Sequence, residues 1–225
     1  MGHVTEQVGK TLLFDLDGTL VDSFPGIRES FLHTLTVMDW EIPPEERINR
    51  VPGPPMEQTL QDLGMSPEMA QEGLQIYLAH YGEVGWDMST EFSGMRELLI
   101  RLKEQGYRLC TATSKGERFA ERALRKFHMF DLFDFMGAAQ ENGPRREKSA
   151  VIRHVIDHVD LTAGDPGLDR VLMIGDRSHD IEGAAQFGID CVAVTWGYGT
   201  PEEWAHARHT VTDAHELERI IHEWT

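Results

Sequence analysis

The stretch that decides the fold is Leu12-Leu13-Phe14-Asp15-Leu16-Asp17-Gly18-Thr19-Leu20-Val21-Asp22-Ser23. It begins with a short apolar run, which predicts a buried strand. Two carboxylates, Asp15 and Asp17, follow at the end of that run, and Gly18 supplies the conformational freedom for the chain to turn there. A carboxylate can attack phosphorus, and a second, protonated carboxyl can donate a proton to a leaving oxygen. Taken alone, the same residues also fit an ordinary acidic turn.

Strand and helix patterns alternate through the C-terminal part of the chain. The predicted strands are 107–113, 132–136, 171–175 and 191–195, and the predicted helices are 94–104, 117–127, 149–159, 181–187 and 214–224. This alternation predicts an α/β fold, a Rossmann-like parallel sheet with helices on both faces.

An all-helical insert separates the first strand from the alternating part. Residues 24–87 repeat apolar side chains at helix spacing, and two proline-rich breaks, Pro43-Pro44 and Pro52-Gly53-Pro54-Pro55, divide them into several helices. We therefore predict a core domain formed by residues 1–22 and 92–225, with a helical cap domain at residues 23–91.

Polar residues lie at the ends of three further predicted elements. Thr113-Ser114 ends a strand, Lys148 begins a helix, and Gly175-Asp176 ends another strand with Asp180 four residues later. Singly, these residues also fit helix caps, a solvated lysine and an acidic turn. Because ligands bind outside the carboxyl ends of parallel strands, we expect all of them to meet at one edge of the sheet.

Composition limits the possible partners. The 225-residue chain carries a formal net charge of −17, which leaves no broad electrostatic attraction to nucleic acid or to an anionic membrane. Its two cysteines, Cys110 and Cys191, lie in apolar runs, and we expect them to pack as small hydrophobic side chains. No apolar signal core or membrane-spanning run is present, so we expect a cytoplasmic protein.

The sequence resembles the haloacid dehalogenase-like hydrolases. Residues 14–23 match the first motif of that family, while Thr113, Lys148 and residues 175–180 match the other three. The resemblance implies the fold of that family with a C1 cap inserted after the first strand. It also implies a phosphatase that forms an aspartyl-phosphate intermediate.

The resemblance assigns roles to these residues. Asp15 would be the nucleophile and Asp17 the general acid and base, with Thr113 and Lys148 as the other catalytic residues. Phosphate would be bound by Asp15, Gly18, Thr113, Ser114 and Lys148. The expected cofactor is Mg²⁺, held by Asp15, Asp17 through its carbonyl group, Asp176 and Asp180, with Asp180 supporting either the metal site or Lys148.

Substrate choice is expected to come from the cap. The candidate specificity residues are Arg28, Arg50 and the loop residues Gly53, Pro54, Pro55 and Met56. The loop resembles that of phosphoglycolate phosphatase-like and nucleotidase-like members. Phosphoglycolate, a 5'-nucleotide, a sugar phosphate and pyrophosphate stay open as substrates, and the expected partner is a small phosphate ester bound by a monomer or homodimer.

Two alternatives to a phosphatase stay open. A phosphosugar mutase similar to β-phosphoglucomutase is the first. Members of that kind carry a cap arginine where this chain has Met56, and Glu57 beside it would repel a second phosphate. The second is a non-catalytic protein that kept the fold, although every catalytic position holds a competent residue type.

We predict that Asp15→Asn abolishes turnover, because no other group can form the bond to phosphorus. Asp17→Asn should lower kcat by a factor on the order of 10² to 10⁴, which is the usual contribution of general acid–base catalysis. Hydrolysis of a chromogenic phosphate ester with Mg²⁺ measures both, and turnover by the Asp15 variant would contradict the assignment.

Overall fold

A computed structural model of the chain describes residues 9–141, 143–159 and 166–224. Its main sheet has six strands in the order β5-β4-β1-β6-β7-β8, and all neighbouring strands are parallel. These strands are β1 (Thr11–Phe14), β4 (Arg108–Gly116), β5 (Phe135–Ala139), β6 (Val171–Gly175), β7 (Asp190–Val194) and β8 (His209–Val211). The predicted α/β parallel sheet is confirmed.

Strand β1 lies in the middle of the sheet, between β4 and β6. Leu12 and Phe14 pack into the core on one face, and Leu13 packs into the core on the other. A strand with both faces covered needs apolar residues at every position. This explains why the run reads as continuously apolar.

Five helices form the two outer layers. The layer on the Leu12 and Phe14 side contains α5 (Met95–Glu104), α6 (Glu117–Lys126) and α9 (Ala214–Glu223). The opposite layer contains α7 (Lys148–His158) and α8 (Ser178–Ala185). This three-layer arrangement leaves the carboxyl edge of the sheet open for a site.

The insert contains α1 (Phe24–Val37), α2 (Glu45–Ile48), α3 (Met56–Asp62) and α4 (Pro67–Glu83). These helices enclose an apolar cluster of their own, which includes Phe31, Leu35 and Leu60. Phe119 of α6 joins that cluster and links it to the rest of the molecule.

The insert enters and leaves at one place. A two-stranded antiparallel sheet pairs β2 (Val21–Asp22) with β3 (Thr90–Glu91). The predicted domain boundaries at residues 22 and 92 fall at this pair of strands. The division into two domains stays a prediction, and residues 1–8, 142, 160–165 and 225 of the predicted core domain lie outside the described residues.

Several elements differ from the sequence expectations. Strand β4 continues to Gly116 rather than ending at Thr113, and the two-residue strands β2 and β3 are not predicted by the sequence. The strand expected at 132–136 begins at Phe135, because residues 130–132 form a 3-10 turn and the Asp134 carboxylate accepts a hydrogen bond from the backbone N of Leu109. Strand β8 was not expected at all. Only Val211 of its three residues is buried, so the sequence there carries no hydrophobic periodicity.

Two observations concern composition. Cys110 and Cys191 are both buried and free, which confirms that they pack as apolar side chains. Within the described residues, none of the helices is long and apolar enough to cross a membrane.

We predict opposite effects for two glycine substitutions in the insert. A β-carbon at Gly26 in α1 would overlap the backbone carbonyl oxygen of Gly85, so Gly26→Ala should destabilise the fold by about 1–3 kcal/mol. At Gly82 in α4 the nearest atoms, of Phe119, lie 3.5 Å away. Gly82→Ala should therefore be neutral or stabilise by up to about 1 kcal/mol. Urea unfolding compares the two, and equal midpoints would contradict the packing.

Candidate active site

Asp15 is the first residue after β1, and its side chain is almost fully buried. Its backbone N donates to the carbonyl oxygen of Ile174 at 2.9 Å, which fixes where the chain leaves the sheet. The Nζ atom of Lys148 lies 2.8 Å from Oδ1 of Asp15. Burial raises the pKa of Asp15 to about 6, although Lys148 acts to lower it.

Lys148 is the first residue of α7 and is itself buried. Its Nζ atom also lies 2.7 Å from Oδ1 of Asp180 and donates to the carbonyl oxygen of Ala112 at 2.7 Å. Burial acts to lower the pKa of Lys148, but the two carboxylates outweigh burial and raise it. The ammonium group is therefore charged and held at a fixed place between two acids.

The loop after β6 and the start of α8 orient two further carboxylates. Oδ2 of Asp180 accepts hydrogen bonds from the backbone N atoms of Asp176 and Arg177, at 3.1 and 3.0 Å. Oδ2 of Asp176 accepts one from the backbone N of Tyr198 at 2.6 Å. Both side chains therefore have one oxygen fixed by the backbone, which leaves the other oxygen to face the site.

The buried carboxylates fit a divalent cation. Oxygen atoms of Asp15, Asp176 and Asp180 all lie within 4.8 Å of one another. Oδ1 of Asp176 is buried and has no hydrogen-bond partner among the described residues. Burial, and then the charges of Asp180 and Asp15, raise the pKa of Asp176 well above its usual value. Mg²⁺ prefers hard oxygen ligands of this kind, and its charge would relieve this repulsion.

The side chain of Asp17 faces away from this group. Its two oxygens each accept from Nζ of Lys115 at 2.9 Å, and Oδ1 also accepts from Oγ of Ser23 at 2.7 Å. Lys115 further donates to the hydroxyl of Tyr81 in α4 at 2.8 Å. The arrangement leaves the backbone of Asp17, rather than its carboxylate, for a metal role.

The predicted phosphate-binding residues lie around the same space. Thr113 is buried, and its Oγ1 accepts from the backbone N of Lys115 at 3.2 Å. Gly18 has φ +85°, and a β-carbon there would overlap the carboxylate of Asp176. Only glycine therefore fits at that turn. Thr113, Ser114 and Lys148 line one cavity together with Asp15.

This cavity has a volume of about 130 Å³ and lies between the sheet edge and the insert. Asp17 and Asp180 line it from the core. The loop residues Gly53, Pro54, Pro55 and Met56 line it from the insert, as predicted for specificity residues. Their role in choosing a substrate stays a prediction.

The two predicted cap arginines are not brought to this cavity. Arg28 pairs with Glu45, with its Nε 3.1 Å from Oε1, and is more than a third exposed. Arg50 lines a separate hollow on the insert. Arg28 lies in α1 and Arg50 follows α2, and neither side chain is among those that line the cavity.

Three residues that sequence reasoning did not assign hold the site together. Lys115 orients Asp17, and its position directly after Thr113-Ser114 was the available signal. Arg177 donates from Nη1 to the carbonyl oxygen of Pro52 and from Nε to Glu203 at 2.8 Å, which ties the cap loop to the core. The hydroxyl of Tyr198 donates to Oδ1 of Asp22 at 2.9 Å, where the insert begins.

A family model described as haloacid dehalogenase-like hydrolase matches residues 12–194. The chain belongs to this family, which confirms the resemblance seen in the sequence.

Individual relatives differ in their names. The tyrosine-protein kinase PtkA of Mycobacterium tuberculosis is 42% identical over 84% of this chain, which spans only 62% of that protein. A 5'-nucleotidase of Pseudomonas aeruginosa is 34% identical over 93% of this chain and 94% of its own length. The crystal structure of a predicted phosphatase from Clostridium acetobutylicum superposes with a TM-score of 0.88 at 30% identity, covering 96% of this chain and 99% of its own.

We predict that Asp176→Asn raises the melting temperature of the metal-free protein and removes its response to Mg²⁺. The amide keeps the acceptor for the Tyr198 backbone but takes one charge out of the repelling group. Thermal unfolding with and without Mg²⁺ tests this. An equal rise in melting temperature for the wild type and the variant on adding Mg²⁺ would contradict the assigned ligand.

We also predict that stabilisation by Mg²⁺ grows between about pH 4 and about pH 7. The pKa of Asp15 is raised from 3.8 to about 6, so the metal-free fold binds this proton more tightly than the unfolded chain. The stability from this proton is complete below the unfolded value and is lost as pH rises through about 6. Mg²⁺ should offset that loss, and a melting-temperature shift independent of pH would refute the prediction.

Proposed function

We propose that the protein is a Mg²⁺-dependent phosphatase that hydrolyses a small phosphomonoester through an aspartyl-phosphate intermediate. One observation carries the proposal. The buried carboxylate of Asp15 lines the cavity between the sheet edge and the insert, with the ammonium of Lys148 2.8 Å away and the carboxylates of Asp176 and Asp180 beside it. A carboxylate can act as the nucleophile toward phosphorus, and a cation beside it offsets the negative charge of the phosphoryl group.

In the first half-reaction, an oxygen of Asp15 attacks the phosphorus of the ester. The bond between phosphorus and the ester oxygen breaks, and Asp17 gives a proton to the departing oxygen. Lys148 and Thr113 hold oxygens of the transferred group. Phosphoryl transfer depends chiefly on such positioning and charge neutralisation.

In the second half-reaction, a water molecule attacks the phosphorus of the aspartyl phosphate. Asp17 takes the proton of that water, the bond between phosphorus and Asp15 breaks, and inorganic phosphate leaves. The hydrogen bonds from Lys115 and Ser23 hold the Asp17 carboxylate in one orientation for both steps.

Mg²⁺ would be held by Asp15, Asp176 and the carbonyl group of Asp17, with Asp180 beside them, and would supply positive charge against the phosphate dianion. Without Mg²⁺, the ammonium of Lys148 would face three carboxylates and the phosphate dianion. This imbalance supports the metal requirement.

A mutase is less well supported than a phosphatase. Met56 lines the cavity where the mutase arginine would be, and Arg50 lies outside the cavity. Glycolate, nucleoside and pyrophosphate leaving groups all remain chemically possible for a phosphatase.

The 42% identical mycobacterial relatives make phosphoryl transfer to a tyrosine hydroxyl the second candidate. Incubation with ATP and a tyrosine-containing peptide separates the two. Release of inorganic phosphate without phosphotyrosine supports hydrolysis, whereas phosphotyrosine supports transfer.

We further propose that the protein works in the cytoplasm as a monomer or homodimer on a small soluble substrate. Its net charge of −17 gives no general attraction to nucleic acid. Size-exclusion chromatography with light scattering determines the oligomeric state.

We predict that Asp17→Asn gives a burst with 4-nitrophenyl phosphate. Nitrophenolate leaves without a proton, so Asp15 should still become phosphorylated, while hydrolysis of the intermediate lacks its base. Rapid-mixing absorbance should show about one equivalent of nitrophenolate per enzyme, followed by slow turnover.

The control is the double variant Asp15→Asn with Asp17→Asn, which should show no burst. A burst that persists in the double variant, or its absence in Asp17→Asn despite measurable turnover, would contradict the intermediate.

A further inference from the structure

The insert, together with Phe119 of α6, gives the cavity an apolar wall. Among its lining side chains are Pro54, Met56, Leu74, Tyr77, Leu78 and Phe119. Tyr77 stacks on Tyr81 with ring centroids 5.6 Å apart, and Tyr81 meets Phe119 edge-on at 5.0 Å. The part of the cavity away from Asp15 is therefore built from hydrocarbon and aromatic surface.

The cations of the cavity are already engaged. In the described chain, four lysine and arginine side chains line it, and each contacts a carboxylate. The pairs are Lys148 with Asp15, Lys115 with Asp17, Arg146 with Glu57, and Arg177 with Glu203. Glu57, the partner of Arg146, and Glu141, which pairs with Arg118, also line the cavity.

A second anionic group on the substrate is therefore disfavoured. Such a group would be desolvated next to carboxylates. It could gain a cationic partner only if one of these ion pairs broke. An apolar group instead gains free energy from burial against this wall, at about 25 cal/mol per Å².

The volume of the cavity restricts the size of the leaving group. The cavity volume of about 130 Å³ is similar to the roughly 150 Å³ of an engineered protein cavity that binds benzene. The same cavity must also hold the phosphoryl group, so the leaving group that it encloses is no larger than about one ring.

We infer that the substrate carries its phosphoryl group as its only charge, on an uncharged, apolar or aromatic leaving group of about one ring. This inference rests on the proposed phosphatase function and specifies its substrate class. It disfavours phosphoglycolate, pyrophosphate and bisphosphates.

The test compares kcat/KM for benzyl phosphate and 2-phosphoglycolate with Mg²⁺. Both are esters of primary alcohols, so the comparison reports the leaving group's charge and apolar surface more than its chemical reactivity. We expect benzyl phosphate to be preferred by about tenfold or more. A higher kcat/KM for 2-phosphoglycolate, pyrophosphate or a 5'-nucleotide would overturn the inference.

A variant pair provides the second measurement. Met56→Arg adds a cation inside the cavity and should shift the ratio toward 2-phosphoglycolate by about tenfold, as expected for one charge-assisted hydrogen bond. Met69→Arg adds the same charge to the exposed first turn of α4, outside the cavity lining, and should leave the ratio unchanged. An equal shift in both variants would overturn the inference.

The two proposals fail in different ways. If 4-nitrophenyl phosphate is hydrolysed but benzyl phosphate is not preferred, the inference fails and the proposed function stands. If none of these esters is hydrolysed with Mg²⁺, the proposed function fails and the inference fails with it.

Discussion

The ammonium of Lys148 lies buried between the carboxylates of Asp15 and Asp180, at 2.8 and 2.7 Å, and the rest of the site depends on this contact. One positive charge cannot balance these two acids and Asp176, which lies in the same group. Buried like charges repel strongly because little water screens them. The fold therefore concentrates negative charge in one place. A divalent cation bound there would offset this charge, so that a phosphoryl group could bind beside Asp15.

The parallel sheet makes this concentration possible. β1 lies between β4 and β6, so Asp15 and Asp176, which follow β1 and β6, lie at the same edge of the sheet as Thr113 in the C-terminal half of β4. Backbone hydrogen bonds then fix the acids individually, as with the two N–H groups that bind Asp180. The insert closes over this edge and is held there by polar contacts, from Arg177 to the carbonyl of Pro52 and from Lys115 to Tyr81.

The sequence predicted the features that rest on local patterns. The continuous apolar run of β1 and the strand–helix alternation predicted the α/β sheet, and the polar residues after the strands predicted which side chains meet. The features that the sequence did not predict correctly depend on contacts between distant segments of the chain. Lys115 acquires its role only because β4 brings it to Asp17, 98 residues away along the chain. Arg50 shows the converse, since closeness to the loop in sequence did not place it in the cavity.

If Asp15 carries the phosphoryl group, the enzyme contains an acyl phosphate during turnover, which chemical trapping can detect. Enzyme quenched during turnover with Mg²⁺ would be reduced with borohydride, which converts an acyl phosphate to an alcohol, and then mapped by mass spectrometry. We expect homoserine in place of aspartate at residue 15, and only when substrate is present. Reduction at a different residue, or an unmodified Asp15 in enzyme that demonstrably turns over, would contradict it.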